Sequence, residues 1–416
     1  MSLSIESSVE GTDDLVRALR FASAAAAKLP AAKALDAVRT ARFDETRFKT
    51  KTSTSQLLCG MAFVFAFVAS MGAIWYGNQA YGPEMYGQSG MAPVAEAHAA
   101  GKNYAVFDLN LNVRALRDEQ LAHMTKTPEL IILGASQWQE GHKELLKGMD
   151  VYNAHIHRDY WEDPLGMVEL LARHNRLPKK LIIAIRDKQF TPVESRKDWL
   201  WEPGIPAYRA MTQRLGIETE SYWKTAPYHR LQALISLPML FENFTRWYNA
   251  SARPGPTTAS QMENMDLILP DGSIKWSNYK KKNIFTPERT ASEVDALVKT
   301  SLSSPLLIDP KGVAAFKSLF AYLKSQGVQV YLTNPPYNPA FYDRIVGTPF
   351  ADGVARVEAL TQQFSTEYGF PIFGSFNPHK VGCTTDMYID AEHSSPICLQ
   401  KVFDQFLALN GVRKAN

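Results

Sequence analysis

The chain has 416 residues, 45 of them basic and 42 acidic, with a net charge of +3 and a hydrophobic fraction of 45%. So small a charge, with no basic block in the folded part, excludes a nucleic-acid-binding class. The length allows two to three folding segments at roughly 150 residues each.

Residues 1–51 read as a cytoplasmic N-terminal segment. Within it, residues 11–40 are Ala-rich, Asp13 and Asp14 stand at a helix start, and Pro30 divides the stretch into two short amphipathic helices. These serve as a solvated tail or dock on a partner's cytoplasmic face. From Thr52 to Pro83 there is no charged side chain, and the apolar core at residues 57–76 is long enough, at about 30 Å of helix, to cross a bilayer. Residues 52–78 are therefore read as a transmembrane helix. Arg39, Arg42, Arg47, Lys49 and Lys51 precede it, whereas Glu84, Glu96 and Lys102 are the charges that follow. That asymmetry predicts a cytoplasmic N-terminus and an external C-terminal domain. Some fifty residues before the span identify an uncleaved signal-anchor rather than a cleaved leader.

Residues 79–124, rich in Gly, Pro and Ala at their start, read as a stalk or linker. Residues 125–416 carry a different rhythm. Strand-type runs occur at 129–136 (ELIILGAS), 150–156 (DVYNAHI), 181–185 (LIIAI), 328–334 (VQVYLTN) and 371–376 (PIFGSF). Segments with apolar residues three and four apart lie between them, at 164–175, 312–327 and 351–369. Near-continuous apolar strands alternating with helices predict an α/β fold, a doubly wound parallel sheet covered on both faces. The stretch at about 190–305 breaks the alternation. It holds Trp199, Trp201, Trp223, Trp247 and Trp276 with Tyr208, Tyr222, Tyr228, Tyr248 and Tyr279, and is read as an inserted cap whose rings form its own core or stack on sugars.

Cys59 falls within the span. Cys383 and Cys398 would both lie in an oxidising compartment if the domain is periplasmic, where they form a candidate disulfide.

In open α/β sheets reactive groups collect at the carboxyl ends of the strands. The first predicted strand ends in Gly134-Ala135-Ser136, small residues that can hold a serine hydroxyl and its own N–H at a tight turn. Near the other end, Asp390 and His393 precede a final helix. A carboxylate and an imidazole at that spacing can supply the base, and the anion that orients it, for acyl transfer. His155 and His157 have the alternate spacing of metal ligands on a strand, but no third ligand accompanies them, and no metal or other cofactor is expected. Asn334 to Pro339 (NPPYNP) reads as a rigid crevice wall, and no Gly-rich phosphate loop occurs.

The Gly-x-Ser after the first strand, the Tyr-Asn segment after the second and the C-terminal Asp-x-x-His together resemble the SGNH, or GDSL-type, hydrolase superfamily. With a single anchor, the chain more narrowly resembles the membrane-anchored polysaccharide O-acetylation proteins of the alginate acetylation and teichoic acid D-alanylation type. The similarity covers residues 125–190 and 310–410. It implies a flavodoxin-like three-layer sandwich with Ser136 as nucleophile, His393 as base and Asp390 orienting it.

Ala135 replaces the family's usual Asp before the serine. Asn153-Ala154-His155 stands where the family offers a glycine amide, and residues 185–190 replace its third block. The oxyanion candidates are therefore Ser136, Ala154, Arg186 and Gln189. The resemblance further implies an O-acyltransferase, with acetyl as the acyl group, or an esterase acting on an exported polysaccharide or envelope glycan from the outer face of the inner membrane. A multi-spanning membrane partner would deliver the acyl donor. The alternative is a catalytically inactive scaffold or binding subunit of a polysaccharide synthesis and secretion complex.

Overall fold

The computed structural model describes residues 54–81, 91–107, 112–157, 159–192, 204–218, 236–237, 240–241, 244, 248, 254–302 and 305–411. The N-terminal segment 1–53, most of the stalk's Gly-rich start, and Trp199, Trp201, Tyr222, Trp223, Tyr228 and Trp247 lie outside them. Helix α1 (Thr54–Tyr81) contains the apolar run. Its stretch Leu58–Asn78 is long and apolar enough to cross a membrane, and none of that run's 18-residue apolar window is buried in protein.

After it come α2 (Ala92–Ala99), β1 (Asn103–Val106), α3 (Val113–His123), β2 (Leu130–Leu133), β3 (Val151–Asn153), α4 (Glu162–Arg173), β4 (Lys180–Ala184) and α5 (Ile205–Leu215). The chain continues through β5 (Gly255–Thr257), β6 (Asp266–Ile268), β7 (Ile274–Lys275), α6 (Pro287–Leu302) and α7 (Pro310–Ser325). It ends with β8 (Gln329–Asn334), α8 (Pro339–Ile345), α9 (Pro349–Tyr368), β9 (Ile372–Gly374) and α10 (Pro396–Leu409). Among the described residues the strands form two sheets.

The larger sheet has the order β3-β2-β4-β8-β9, and every neighbouring pair is parallel. Its strands are the five expected from the apolar runs. Ile131, Leu133, Leu181, Ile183, Val330 and Leu332 face one layer, with Leu165 and Val168 of α4, Phe316 and Phe320 of α7, and Val357 and Phe364 of α9. The alternate residues Leu130, Ile132, Ile182 and Tyr331 face the other layer, with Trp138 and with Leu399, Val402 and Phe403 of α10. Two covered faces explain why the strands are apolar throughout instead of alternating. The chain leaves β2 for β3 on one side and returns to β4 on the other. The order reverses between β2 and β4, so a crevice opens beyond their carboxyl ends.

The smaller sheet corrects the stalk reading. β1 pairs antiparallel with both β5 and β6, and β6 pairs with β7. Met91, Val94, Tyr104, Val106, Ala115 and Leu116 are buried with Ile268 and Ile274, so residues 91–107 and 112–123 belong to a folded layer. The described part of the 190–305 stretch supplies its remaining strands. Its Tyr208 is a core residue, edge-on to Trp161 at 5.8 Å. The ring of Trp276 is covered by Lys280 Nζ at 5.0 Å and by Phe285 at 5.1 Å.

Candidate functional site

Ser136 is placed by close packing beneath it. A Cβ on Gly134 would stand 2.8 Å from Trp138 Cδ1 and 2.9 Å from Ala184 Cβ, so a larger residue would push the strand ends apart. Ala135 is extended, and Ser136 opens a short 3-10 turn, Ser136–Trp138. That turn is pinned by Trp138, which is wholly buried against Phe403.

The partner residues come from the loop before α10. Tyr388 bridges Ser394, and the Ile389 N–H donates to His393 O at 3.0 Å, so residues 389–393 form a tight reversal. Asp390 Oδ1 accepts from the backbone N–H groups of Glu392 (2.8 Å) and His393 (2.7 Å). Its Oδ2 lies 2.7 Å from His393 Nδ1, and His393 Nε2 lies 2.8 Å from Ser136 Oγ. The segment expected as a rigid wall holds this loop: Asn338 Nδ2 donates to Asp390 O at 3.2 Å, and Tyr388 OH to Tyr337 O at 2.6 Å.

The geometry assigns the protons. An ionised carboxylate only accepts, so His393 Nδ1 carries hydrogen and Nε2 presents its lone pair to the serine hydroxyl. Burial opposes both charges. The His393 partner nevertheless leaves Asp390 below the usual carboxylate range, and the Asp390 hydrogen bond and charge, with Glu392, raise His393 above the ordinary imidazole value. A hydroxyl, a base and an anion in line can deprotonate the serine as it attacks a carbonyl carbon. No protein-family model and no curated protein matches this chain.

Of the oxyanion candidates, two are spent elsewhere. The Ala154 N–H donates to Ile132 O at 2.9 Å as part of the sheet ladder, and Gln189 Nε2 donates to Asp159 Oδ1 at 2.7 Å. Among the described residues the Ser136 N–H has no hydrogen-bond acceptor. Arg186 lies three residues past Ile183, the register partner of Leu133, and so stands level with Ser136. It approaches Asp187 at 3.8 Å, and its Nε is buried without a hydrogen bond.

Two further buried groups stand near the site: Glu140, which was not singled out from the sequence, and His155, which the sequence offered with His157 as a metal-ligand pair. Glu140, four residues after Ser136, has an unpartnered Oε2 and is pushed up to about 7 by burial. His155 Nδ1 receives Arg117 Nη2 at 3.0 Å, and its ring lies 5.6 Å from that of His157. An arginine on that nitrogen leaves His155 unsuited to chelation there. Among the described residues no cluster of three or more His, Cys, Asp or Glu is placed to hold a metal.

Cys383 and Cys398 are joined by a disulfide, with Cα atoms 5.3 Å apart. The bond encloses the Asp390–His393 loop, and its separation of 15 residues corresponds to a stabilisation of about 3 kcal/mol. Reduction is expected to loosen the Asp390–His393 loop, broadening the His393 ring resonances, with a smaller loss of helix content, because Leu399, Val402, Phe403 and Phe406 hold α10 in the core independently of the disulfide. Parallel losses of the ring resonances and of helix content by circular dichroism would contradict this.

Proposed function

We propose that this protein is a membrane-anchored O-acyltransferase, with acetyl as the acyl group, or an esterase, acting on an exported polysaccharide or envelope glycan. The observation that carries this reading is the unbroken line Ser136 Oγ, His393 Nε2, His393 Nδ1, Asp390 Oδ2, with contacts of 2.8 and 2.7 Å across 257 residues of chain. Two further features support it: a serine just after β2, the first strand in chain order of a parallel sheet ordered β3-β2-β4-β8-β9, and an Asp-x-x-His before the last helix, both as in SGNH-like hydrolases.

Ser136 Oγ bonds to the acyl carbon while its proton passes to His393 Nε2. The donor's alcohol then leaves with that proton, giving an acyl-serine. A sugar hydroxyl or water next gives its proton to His393, attacks the acyl-serine and releases Ser136, which takes the proton back. A sugar acceptor makes the protein a transferase, and water makes it an esterase.

The apolar helix α1 and the Cys383–Cys398 disulfide support an anchored domain on the oxidising side of the inner membrane. Acyl-CoA is cytoplasmic, so a multi-spanning membrane protein would pass the acyl group across. Tyr248 and Tyr279 are exposed in the inserted stretch and would offer ring faces to the glycan.

The test is acetyl release from 4-nitrophenyl acetate by the full chain in detergent, with mass spectrometry of the peptide carrying Ser136. The parent is expected to carry an acetyl group on that peptide. Ser136→Ala is expected to lose at least about 10³-fold in turnover. Turnover undiminished in Ser136→Ala would refute the acyl-serine.

The second reading, an inactive scaffold of a polysaccharide export complex, is favoured by the commitment of Ala154 and Gln189 to other partners. It predicts an unmodified Ser136 even when a glycan acceptor and membrane partner are supplied.

A further inference from the structure

The acyl-transfer reading needs a donor for the carbonyl oxygen besides the Ser136 N–H, and Ala154 does not supply it. A buried chain of hydrogen bonds points to another group. His98 Nε2 lies 3.1 Å from Ile268 O. Only an N–H can meet a carbonyl there, so His98 Nδ1 is the acceptor for Gln120 Nε2 at 2.6 Å. The Gln120 Oε1 then accepts from Arg117 Nη1 at 2.8 Å and from Tyr152 OH at 2.7 Å.

Arg117 in turn donates to the His155 carbonyl from Nε (3.2 Å) and Nη2 (3.1 Å), and from Nη2 to His155 Nδ1 at 3.0 Å. A guanidinium has no lone pair to offer, so His155 Nδ1 must be the acceptor. Burial and the adjacent Arg117 charge keep the ring neutral. Its one proton is therefore on Nε2, and that nitrogen is buried with no hydrogen-bond partner.

The position of His155 suits a ligand at Ser136. The neighbouring Ile156 N–H donates to Gly134 O at 2.8 Å, so His155 flanks the last residues before the serine. His393 is near enough that a charge on it opposes one on His155. The backbone N–H of His155 is held by Asn153 Oδ1 at 3.1 Å. A neutral N–H fixed from both the backbone and Nδ1 needs no reorganisation when negative charge develops beside it.

We propose that His155 Nε2–H is the oxyanion donor of this site, taking the carbonyl oxygen of the acyl group as Ser136 attacks. The proposal rests on the acyl-transfer reading of Ser136.

The probe is diethyl 4-nitrophenyl phosphate, whose phosphoryl oxygen takes the place of the oxyanion. Ser136 Oγ bonds to phosphorus, 4-nitrophenolate leaves, and the serine proton goes to His393. Stoichiometric nitrophenolate release is followed in the full chain in detergent for the parent, Ser136→Ala, His155→Asn and His155→Gln. Asn places an acceptor where Nδ1 stands, keeping a partner for Arg117 but removing the Nε2 donor. Gln restores an N–H at the Nε2 position.

His155→Asn is expected to react roughly 100-fold more slowly, and His155→Gln within about tenfold of the parent. In the parent labelled with 15N-histidine, the His155 Nε2–H resonance is expected to shift when the adduct forms. If Ser136→Ala is silent while both His155 variants match the parent, or both are equally slow with no resonance shift, the oxyanion role is overturned and the serine reading stands. A parent that does not react overturns both.

Discussion

Asp390→Asn is expected to lower kcat/KM for a nitrophenyl ester by about 10⁴-fold while leaving the fold intact. The size follows from how the carboxylate is held. Two backbone N–H groups, from Glu392 and His393, point at Oδ1 within 2.8 Å. In the variant they select the amide oxygen for that position, and the NH₂ group then faces His393 Nδ1. That nitrogen must become an acceptor, which moves the ring proton to Nε2, opposite Ser136 Oγ. Two donors would then meet where a base is needed. Melting temperature and circular dichroism near those of the parent should accompany the loss. A decrease below tenfold would mean that Asp390 does not set the tautomer.

The second large effect concerns stability. Glu140 is 2% exposed, and burial lifts its carboxyl from 4.5 to about 7, against the opposing charges of Lys281 and His393. Between those two values the folded chain keeps a proton that the unfolded chain releases. Stability therefore falls as pH rises from about 4.5 to 7 and levels off above, a displacement equivalent to about 3 kcal/mol. Asp159, pushed to about 8 by burial and by Asp163, acts in the same direction over a wider window.

Glu140→Gln removes the ionisation and keeps the shape. It is expected to be more stable than the parent at pH 8, by up to about 3 kcal/mol, and close to it at pH 4.5. Urea unfolding of both chains at the two pH values measures the difference. A gain of equal size at both would show that Glu140 is not the titrating group. An acid this costly at neutral pH, four residues from Ser136, fits a site whose polar groups are retained for chemistry rather than for stability.

Local pattern was enough for the five parallel strands, because a strand covered on both faces must be apolar at every position, as in residues 130–133 and 181–184. It was enough for the apolar span, whose length and lack of charge are properties of composition. It also singled out Ser136, Asp390 and His393, since small residues before a serine and a three-residue spacing before a helix are visible without a fold. The partners of the other groups were set by contacts between distant parts of the chain. β1 was read as stalk because the strands that bury it begin some 150 residues later.

Cys383 and Cys398 meet because the chain reverses at Tyr388 and Ser394. Ala154 lost its assigned role because sheet register directs its N–H to Ile132, and Gln189 lost its own to a buried Asp159. His155 has a defined proton only because Arg117, from a helix before the first strand of the large sheet, occupies its other nitrogen. Residue type and spacing thus determined which groups are present and on which elements. Which donors and acceptors remain for a ligand was decided by tertiary structure, because a hydrogen-bonding atom committed to a distant partner is no longer available at the site.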